Sequence, residues 1–307
     1  GRHWMDIWRY SDWYGRRQVN DVRNSFPHIW RWRDWIIHSL NEDKGYDQMI
    51  REMLAADEIY PQDDDRVVAT GFLVRNWFSL NYDIWMRDIV EHTGKAFLGL
   101  RFNCALCHDH KYDPISQQDY FRLRAFFEPL EVRNDRVPGG PRLAKYIRYN
   151  PGSGASLKPI SAGLARIYDQ TLDAETFMYQ LGDQRDLFPD RAAVQPGVPA
   201  FLGALQTPIQ EVVLPAQAYY PGLKPFIQQH ERESRQERAA AARKALDTLA
   251  AQSDGDSDAE TAAVKAAEEL LADRIKQAAD NQQPRPQALK ILQRAIAYWD
   301  FDIAVEE

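Results

Sequence analysis

Tryptophan is distributed unevenly along this chain of 307 residues. Eight of the nine tryptophans lie between Trp4 and Trp85, and the ninth is Trp299. Each aromatic side chain buries a large apolar area when it packs. The first third of the chain is therefore predicted to build a packed core. Its amino-acid composition differs from that of the last third.

Helical periodicity runs through the same region. Trp4, Ile7 and Trp8 recur at helical spacing, and Gly15 is a plausible end for this first helix. Ser116 and Asp119 have the spacing of a capping box. We therefore predict a mainly α fold, with a compact helical domain in residues 1–130. The other expected helices are Trp30–Leu40, Tyr46–Ala56, Tyr82–Leu100 and a helix from Ser116 through Phe127.

The amino-acid composition of the rest of the chain changes twice. Residues 131–226 are rich in Pro and Gly, with β-prone runs at Thr176–Leu181 and Gln210–Leu214, so we expect a wrapping segment with short strands. Residues 227–307 are rich in Ala and charged residues and are divided by the sequence SDGDSD. This pattern predicts an antiparallel helical hairpin, followed by a terminal helix after Pro286.

Charge and hydropathy exclude some classes of protein. The net charge of −7 and a pI near 5.6 argue against a nucleic-acid-binding protein. No run of residues approaches the roughly 20 apolar positions of a membrane span. The two cysteines are too few for a framework of several disulfides. The chain begins at Gly1 without an initiator Met or a signal peptide, so we expect a processed chain or a piece of a longer one.

Both cysteines fall in one short motif, CALCHDHKYDP, residues 104–114. Cys104, Cys107 and His108 have the Cys-x-x-Cys-His spacing of covalent haem attachment. In such a motif the two thiols add to the two vinyl groups of haem, and the histidine ligates the iron. The sequence therefore predicts one covalently bound haem c, with Cys104 and Cys107 as thioethers and His108 as the proximal ligand.

Three other interpretations of the motif remain open. A thioredoxin-like redox pair would need a βαβ context, which the helical flanks do not supply. A zinc site could use Cys104, Cys107, His108 and His110, although structural zinc sites normally take ligands from two segments. A plain disulfide in an exported protein is also possible, and it would leave His108 without a role.

The motif resembles a known family. FLGLRFNCALCHDHKYDPISQQDYFRLRAFF, residues 97–127, resembles the haem-motif region of the planctomycete-type cytochrome c family, which comprises large exported proteins of poorly defined function. GRHWMDIWRYSD, WRWRDWIIHSLNEDKGYDQMIREMLAADE and VVATGFLVRN resemble earlier parts of the same domain. Further on, LGDQRDLFPDRAAVQPGVPAFL resembles a linker of these proteins, and the Ala-rich hairpin is similar to a helical insert that often follows it.

The resemblance also has departures. Family members are usually longer, with another cytochrome domain upstream and a further domain downstream, so the chain resembles an internal piece of such a protein. Gln184 stands where the linker of the family would have proline. The haem interpretation implies a periplasmic or otherwise exported protein, because haem c is attached outside the bacterial cytoplasm. It also implies a redox partner protein, or another subunit or domain of the same complex.

Several residues are candidates for the rest of a haem site. His3 is the first candidate for a sixth iron ligand, because Arg-His-Trp at the domain start matches a family motif, and a hydrogen-bonded core histidine is the competing interpretation. Arg2 and Arg9 could bind haem propionates, or Arg2 could pair with Asp6 along the helix. His110 is expected to support the site rather than to ligate iron. Further sixth-ligand candidates, each more typical of core packing, are Met5, Met49, Met53, Met86, His38 and His92.

Two functions and a structural role follow from these predictions. A monohaem electron carrier would cycle its iron between two oxidation states and would have both axial positions filled. A haem-dependent redox enzyme, for instance one acting on an exported carbohydrate, would need an open distal site and a substrate pocket. A scaffold stapled by a metal or a disulfide would contain no haem. Whether the protein is an enzyme is not decided by the sequence, although electron transfer is favoured.

Overall fold

A computed structural model gives the fold of the chain. The contacts between Cα atoms divide the chain into two compact units, one of residues 1–140 and 144–219 and one of residues 141–143 and 220–307. The structure describes residues 1–11, 17–18, 21–22, 28–77, 81–140, 163–203 and 212–252.

The first helix is shorter than its periodicity predicted. Helix α1 (Arg2–Ile7) ends where Arg9 takes a left-handed backbone conformation with φ of 61°, which a helix cannot continue through. The expected end at Gly15 was therefore wrong, because the chain turns six residues earlier. Two short antiparallel strands follow, β1 (Arg17–Gln18) and β2 (Asp21–Val22).

The second and third helices lie close to their predicted positions. The buried tryptophans Trp32 and Trp35 lie on the second helix, and the Nε1–H of Trp35 donates to the buried carboxylate of Glu52 on the third. The predicted boundaries differ from the observed ones by no more than a turn. These elements are α2 (Trp30–Asn41), α3 (Tyr46–Ile59), α4 (Asp64–Val67), a 3₁₀ turn (Val68–Thr70) and α5 (Gly71–Val74).

The predicted helix over Tyr82–Leu100 is interrupted. Helix α6 (Tyr82–Thr93) continues into a π-helical turn (Gly94–Leu98), and Gly99 then adopts φ of +68°. A Cβ at Gly94 would overlap the ring of Phe102, so glycine allows the chain to fold back closely here. A 3₁₀ turn (Asn103–Leu106) follows and contains the first cysteine.

The capping box at the next helix is confirmed. Helix α7 (Gln117–Arg124) begins after Ser116, whose hydroxyl accepts from Asp119 N–H at 3.0 Å, while the Asp119 carboxylate accepts from Ser116 N–H at 3.0 Å. Each side chain satisfies a backbone donor that a helix start would otherwise leave open. The helix ends three residues before Phe127, the predicted end.

Antiparallel strand pairs complete the first unit. Strand β3 (Leu130–Asp135) pairs with β4 (Leu164–Asp169), and β5 (Tyr179–Gln180) pairs with β6 (Asp183–Leu187). The predicted run Thr176–Leu181 thus contains one short strand, with an isolated bridge at Thr176. A 3₁₀ turn (Ala200–Leu202) and helix α8 (Ala216–Tyr219) follow.

The C-terminal predictions can be compared only in part. Residues 212–214 form no strand, and Gln210 and Glu211 lie outside the described residues. In the second unit, a 3₁₀ turn (Pro221–Leu223) leads into α9 (Pro225–Gln252), a long helix where the first arm of the hairpin was expected. The second arm and the terminal helix after Pro286 also lie outside the described residues. The prediction of a mainly α fold is confirmed.

The core of the first unit joins the helices to the strands. Its fully buried side chains include Trp8, Trp32 and Trp85, in agreement with the core expected from the tryptophan distribution. The Nε1–H of Trp85 donates to the carbonyl of Leu73 at 2.9 Å. Among the described residues, no helix is both long and apolar enough to cross a membrane.

Candidate functional site

The two cysteines lie on one turn at the surface. Cys104 is exposed and Cys107 is half-buried, and neither forms a disulfide. Cys104 lies in the 3₁₀ turn and Cys107 caps that turn, with the N–H groups of Cys107 and His108 directed at the carbonyl of Cys104. The two cysteines therefore lie within the turn and at its C-cap, three residues apart.

A buried carboxylate from α6 holds the start of this turn. Glu91 Oε2 accepts hydrogen bonds from the N–H groups of Phe102 at 3.0 Å and Asn103 at 2.8 Å. These backbone donors at the start of the turn have no partners within it. Lys95 forms an ion pair with the other oxygen of Glu91. The carboxylate thus fixes the segment that precedes Cys104 without blocking the exposed thiol.

Gln117 connects the motif to the hairpin formed by β5 and β6. Its buried side-chain amide donates to the carbonyl of Leu106 at 3.0 Å and to the carbonyl of Tyr179 at 2.8 Å. Its backbone N–H donates to Asp109 Oδ1 at 2.8 Å. The residues on both sides of Cys107 and His108 are therefore tied to the start of α7.

The ring of His108 is exposed and has a defined tautomer. Its Nδ1 lies 2.7 Å from the backbone carbonyl of Asp109. A carbonyl oxygen can only accept, so Nδ1 carries a proton, and in the neutral ring the lone pair is then on Nε2. Backbone carbonyls commonly orient metal-binding histidines in this way. Nε2 of His108 is therefore available as a ligand beside the two thiols.

The Nδ1 atom of His110 accepts hydrogen bonds, whereas that of His108 donates one. Its Nδ1 accepts from the N–H of Asp113 at 2.8 Å and from that of Tyr112 at 3.3 Å, so this nitrogen is engaged in holding the turn. The N–H of His110 itself donates to the carbonyl of Ile115. His110 therefore stabilises the turn that follows the cysteines, and its role beside a haem stays a prediction.

The tip of the β5–β6 hairpin lies against the second cysteine. A Cβ built on Gly182 would overlap Cys107 Sγ, so the glycine backbone approaches the thiol directly. The same turn also borders an open groove of about 510 Å³, lined from α6 by Asp83 and Arg87 and from the hairpin by residues 181–185. The Nη2–H of Arg87 donates to the Gly182 carbonyl at 2.9 Å, which fixes the position of this turn.

A cluster of basic side chains lies around His92 on α6. Burial, and then the charges of Arg9, Lys95 and Arg75, lower the pKa of His92 to about 3, so its ring is neutral. Its Nδ1 is buried and makes no hydrogen bond in the described part of the protein. The Nε–H of Arg75 donates to the carbonyl of Arg9 at 2.6 Å. Arg9 is thereby held in its left-handed conformation beside the other cations.

The remaining candidate ligands are scattered. Arg2 and His3 are exposed on α1, and within the described residues no hydrogen bond or ion pair joins either of them to the cysteine turn. Met49, Met53 and Met86 are buried in the core, as their periodicity suggested. His38 is exposed on α2, and Met5 packs against the core from α1. No group of three or more His, Cys, Asp or Glu side chains in the described ranges could hold a metal ion.

Four residues that shape the site were not singled out from the sequence. Glu91 and Lys95 have the i, i+4 spacing of a helical ion pair, which is a common surface pattern and gives no indication of a cap for a distant turn. Gln117 lies inside the capping box, where its side chain is not required. Gly182 is part of the segment LGDQRDLFPDRAAVQPGVPAFL that resembles a family linker, but nothing in its spacing relates it to Cys107.

The donor set fits a covalently attached haem. The turn and its C-cap carry two free thiols, and the exposed His108 that follows is held at Nδ1, so that Nε2 of its neutral ring is the atom left for a metal. The buried, unpartnered Nδ1 of His92 lies among basic side chains that a carboxylate would complement.

Residues 1–132 match the model of a family described as a protein of unknown function, PSCyt2 or DUF1549. The matched region ends inside β3 and includes the cysteine turn, α6 and α7, but not the β5–β6 hairpin. This part of the chain is therefore similar to that family. No curated protein and no solved structure matches the chain.

Proposed function

We propose that the first unit is a c-type cytochrome domain that binds one haem covalently and transfers single electrons. The observation that carries this proposal is the hydrogen bond from His108 Nδ1 to the carbonyl of Asp109. It leaves Nε2 of His108 as an iron ligand immediately after two free thiols. The similarity of residues 1–132 to the PSCyt2 family is consistent with this interpretation.

The thiols of Cys104 and Cys107 would attach the cofactor. Each S–H bond breaks and an S–C bond forms at a vinyl group, while the hydrogen goes to the neighbouring vinyl carbon, so the addition needs no oxidant. The bound haem supplies one-electron exchange between ferric and ferrous iron. His108 would supply the iron ligand, and the carbonyl of Asp109, which holds its ring, would raise its basicity.

The basic cluster would bind the propionates. Arg9, Arg75 and Lys95 act together on His92, and Lys95 is joined through Glu91 to the residue before Cys104. A propionate here would meet several cations, which make short charge-assisted bonds with carboxylates. Arg9 is thus the better supported of the two predicted arginines. Binding of a propionate by Arg2, which lies on α1, remains a prediction.

His3 is kept as the proposed sixth ligand. It lies on α1, the helix that also leads to Arg9. A filled sixth position would favour an electron carrier with a redox partner protein, or with another domain of the same complex. An open position would favour the redox enzyme. Covalent haem attachment would place the protein in the periplasm or elsewhere outside the cytoplasm.

The test is expression with a cytochrome c maturation system, followed by a pyridine haemochrome assay and oxidised and reduced visible spectra. We expect one haem c per chain in the wild type and a loss of at least tenfold in haem content in Cys104→Ala/Cys107→Ala. His108→Ala should keep the thioethers but lose the low-spin spectrum. A folded, colourless wild type would overturn the proposal. Carbon monoxide binding to the reduced protein would indicate an open sixth position.

A further inference from the structure

A second open groove is lined by α7 and by the segment of residues 188–197, which follows β6. Its volume is about 700 Å³. Helix α7 supplies Gln118 and Arg122, and the 188–197 segment supplies Arg191 and Gln195. None of the nine described residues that line the groove is an aspartate or a glutamate. The remaining lining side chains are apolar, and an apolar lining with a few polar groups is typical of a ligand site.

The guanidinium of Arg122 packs against a glycine of the 188–197 segment. A Cβ built on Gly197 would overlap Nη2, Nε and Cζ of Arg122. The N–H of Gly197 donates to the Arg122 carbonyl at 3.1 Å, which joins the segment to α7. The carboxylate of Asp119, one turn earlier on α7, accepts from the N–H groups of Ser116 and Ala200. Within the described residues, Arg122 therefore makes no ion pair.

Arg191 is held by an aromatic ring and a sulfur atom. Its Cζ lies 4.1 Å from the centroid of the Phe188 ring, and its Nη1 lies 3.4 Å from Met178 Sδ. Neither contact neutralises the guanidinium charge, and in the described part of the chain this side chain forms no ion pair either. The segment is itself anchored, because the N–H of Val194 donates to the carbonyl of Thr176 at 2.7 Å.

We propose that this groove binds a small organic oxyanion, that is, a carboxylate or a phosphate or sulfate ester on a partly apolar body. A guanidinium presents a planar fork of donors that matches such groups. Arg122 and Arg191 would bind the oxyanion, and the amides of Gln118 and Gln195 would add neutral donors and acceptors. Apolar side chains such as Val194 would contact the body of the ligand. The site requires no haem and is therefore independent of the proposed function.

The first test compares ligands on the full chain by isothermal titration calorimetry. Phenyl phosphate and benzoate each carry an oxyanion on an apolar ring, whereas inorganic phosphate lacks the ring and benzyl alcohol lacks the charge. At 0.15 M ionic strength, exposed charges more than about 8 Å apart are largely screened. We expect phenyl phosphate or benzoate to bind at least fivefold more tightly than inorganic phosphate and benzyl alcohol. The tighter of the two then distinguishes an ester site from a carboxylate site.

The second test removes the two cationic groups in different ways. Arg191→Gln removes a charge at an exposed position and should weaken binding of the tighter ligand at least fivefold. Gly197→Ala keeps both arginines, but its methyl group should displace the guanidinium of Arg122 and cause a similar loss. Alanine fits the backbone at this position, because Gly197 does not have a positive φ. Arg51→Gln is the matched control, since Arg51 is an exposed arginine on α3 that does not line the groove.

Three outcomes would overturn the inference. The first is a wild type that binds neither phenyl phosphate nor benzoate more tightly than inorganic phosphate. The second is unchanged binding in both Arg191→Gln and Gly197→Ala. The third is an equal loss in Arg51→Gln, because binding would then follow the overall charge of the protein and not the groove. Haem content should be the same in all these variants, so none of these results bears on the proposed function.

Discussion

Glu91 Oε2 accepts a hydrogen bond of 2.8 Å from the N–H of Asn103, the residue immediately before the first cysteine. The same oxygen accepts from Phe102, so one buried carboxylate on α6 satisfies two backbone donors of the cysteine turn. A buried donor that loses its partner costs about 1–3 kcal/mol. The geometry of the cysteine turn therefore depends on a residue 13 positions before Cys104.

Glu91→Ala should destabilise the protein and disorder the cysteine turn. The two N–H groups would lose their acceptor, and we expect the free energy of unfolding to fall by about 2–4 kcal/mol, measured by urea denaturation. Haem content after maturation should fall as well. Glu42→Ala, at an exposed position after α2, is the control and should change stability by less than about 0.5 kcal/mol. A variant as stable as the control would contradict the capping role.

Gln117→Ala should loosen the connection between the motif and the hairpin. It removes the donor to two buried carbonyls, those of Leu106 and Tyr179, and should cost about 1–3 kcal/mol. Hydrogen exchange should also become faster in β5 and β6. Gln118→Ala changes the neighbouring, exposed glutamine and should leave both measurements unchanged. If the two variants behave alike, the amide of Gln117 does not hold the hairpin.

The stability of the protein should depend on pH through two groups with opposite effects, the half-buried His92 and the buried Asp57. The pKa of His92 falls to about 3, so between pH 6.5 and 3 the unfolded state binds the proton and stability is lost as pH falls. Burial raises the pKa of Asp57 to about 7, so between pH 3.8 and 7 the folded state holds the proton and stability is lost as pH rises. The two contributions oppose each other over most of this range.

Asp57→Asn removes one of these contributions. We expect its unfolding free energy to rise more steeply with pH between 4 and 6.5 than that of the wild type, by at most about 1.4 kcal/mol per pH unit. His92→Asn should change the slope in the opposite direction. Urea denaturation at several pH values measures both. Parallel pH profiles for the wild type and both variants would show that neither group has a shifted pKa.

Asp135→Ala should be the most destabilising of the proposed substitutions. Its carboxylate is fully buried and accepts from Arg133 at 2.7 Å, with Arg166 at 3.9 Å. Removing one member of a buried ionic group leaves an uncompensated charge, which costs about 3–5 kcal/mol. Asp34→Ala removes a partly exposed partner of Arg33 and should have almost no effect. Thermal denaturation of the two variants and the wild type compares them directly.

Local sequence patterns predicted the helices well because helix formation depends mainly on residues that are close together in the chain. The apolar spacing of α2 and α3 and the capping box of α7 depend on residues within one or two turns. The end of α1 was missed because Arg9 turns into a left-handed conformation that Arg75, 66 positions later, holds by a hydrogen bond. The π-helical end of α6 was missed for a similar reason, since the ring of Phe102 packs against Gly94.

The sequence by itself determined the class of fold and the positions of the main helices, and the spacing of Cys104, Cys107 and His108 was enough to predict that two thiols and a histidine lie close together on the chain. The tertiary structure decided how the cysteine turn is held, through Glu91, Gln117 and the contact of Gly182 with Cys107. It also decided the tautomer of His108 and the surroundings of Arg9. These features depend on residues distant in the chain, whose approach is set by packing and by the satisfaction of buried polar groups.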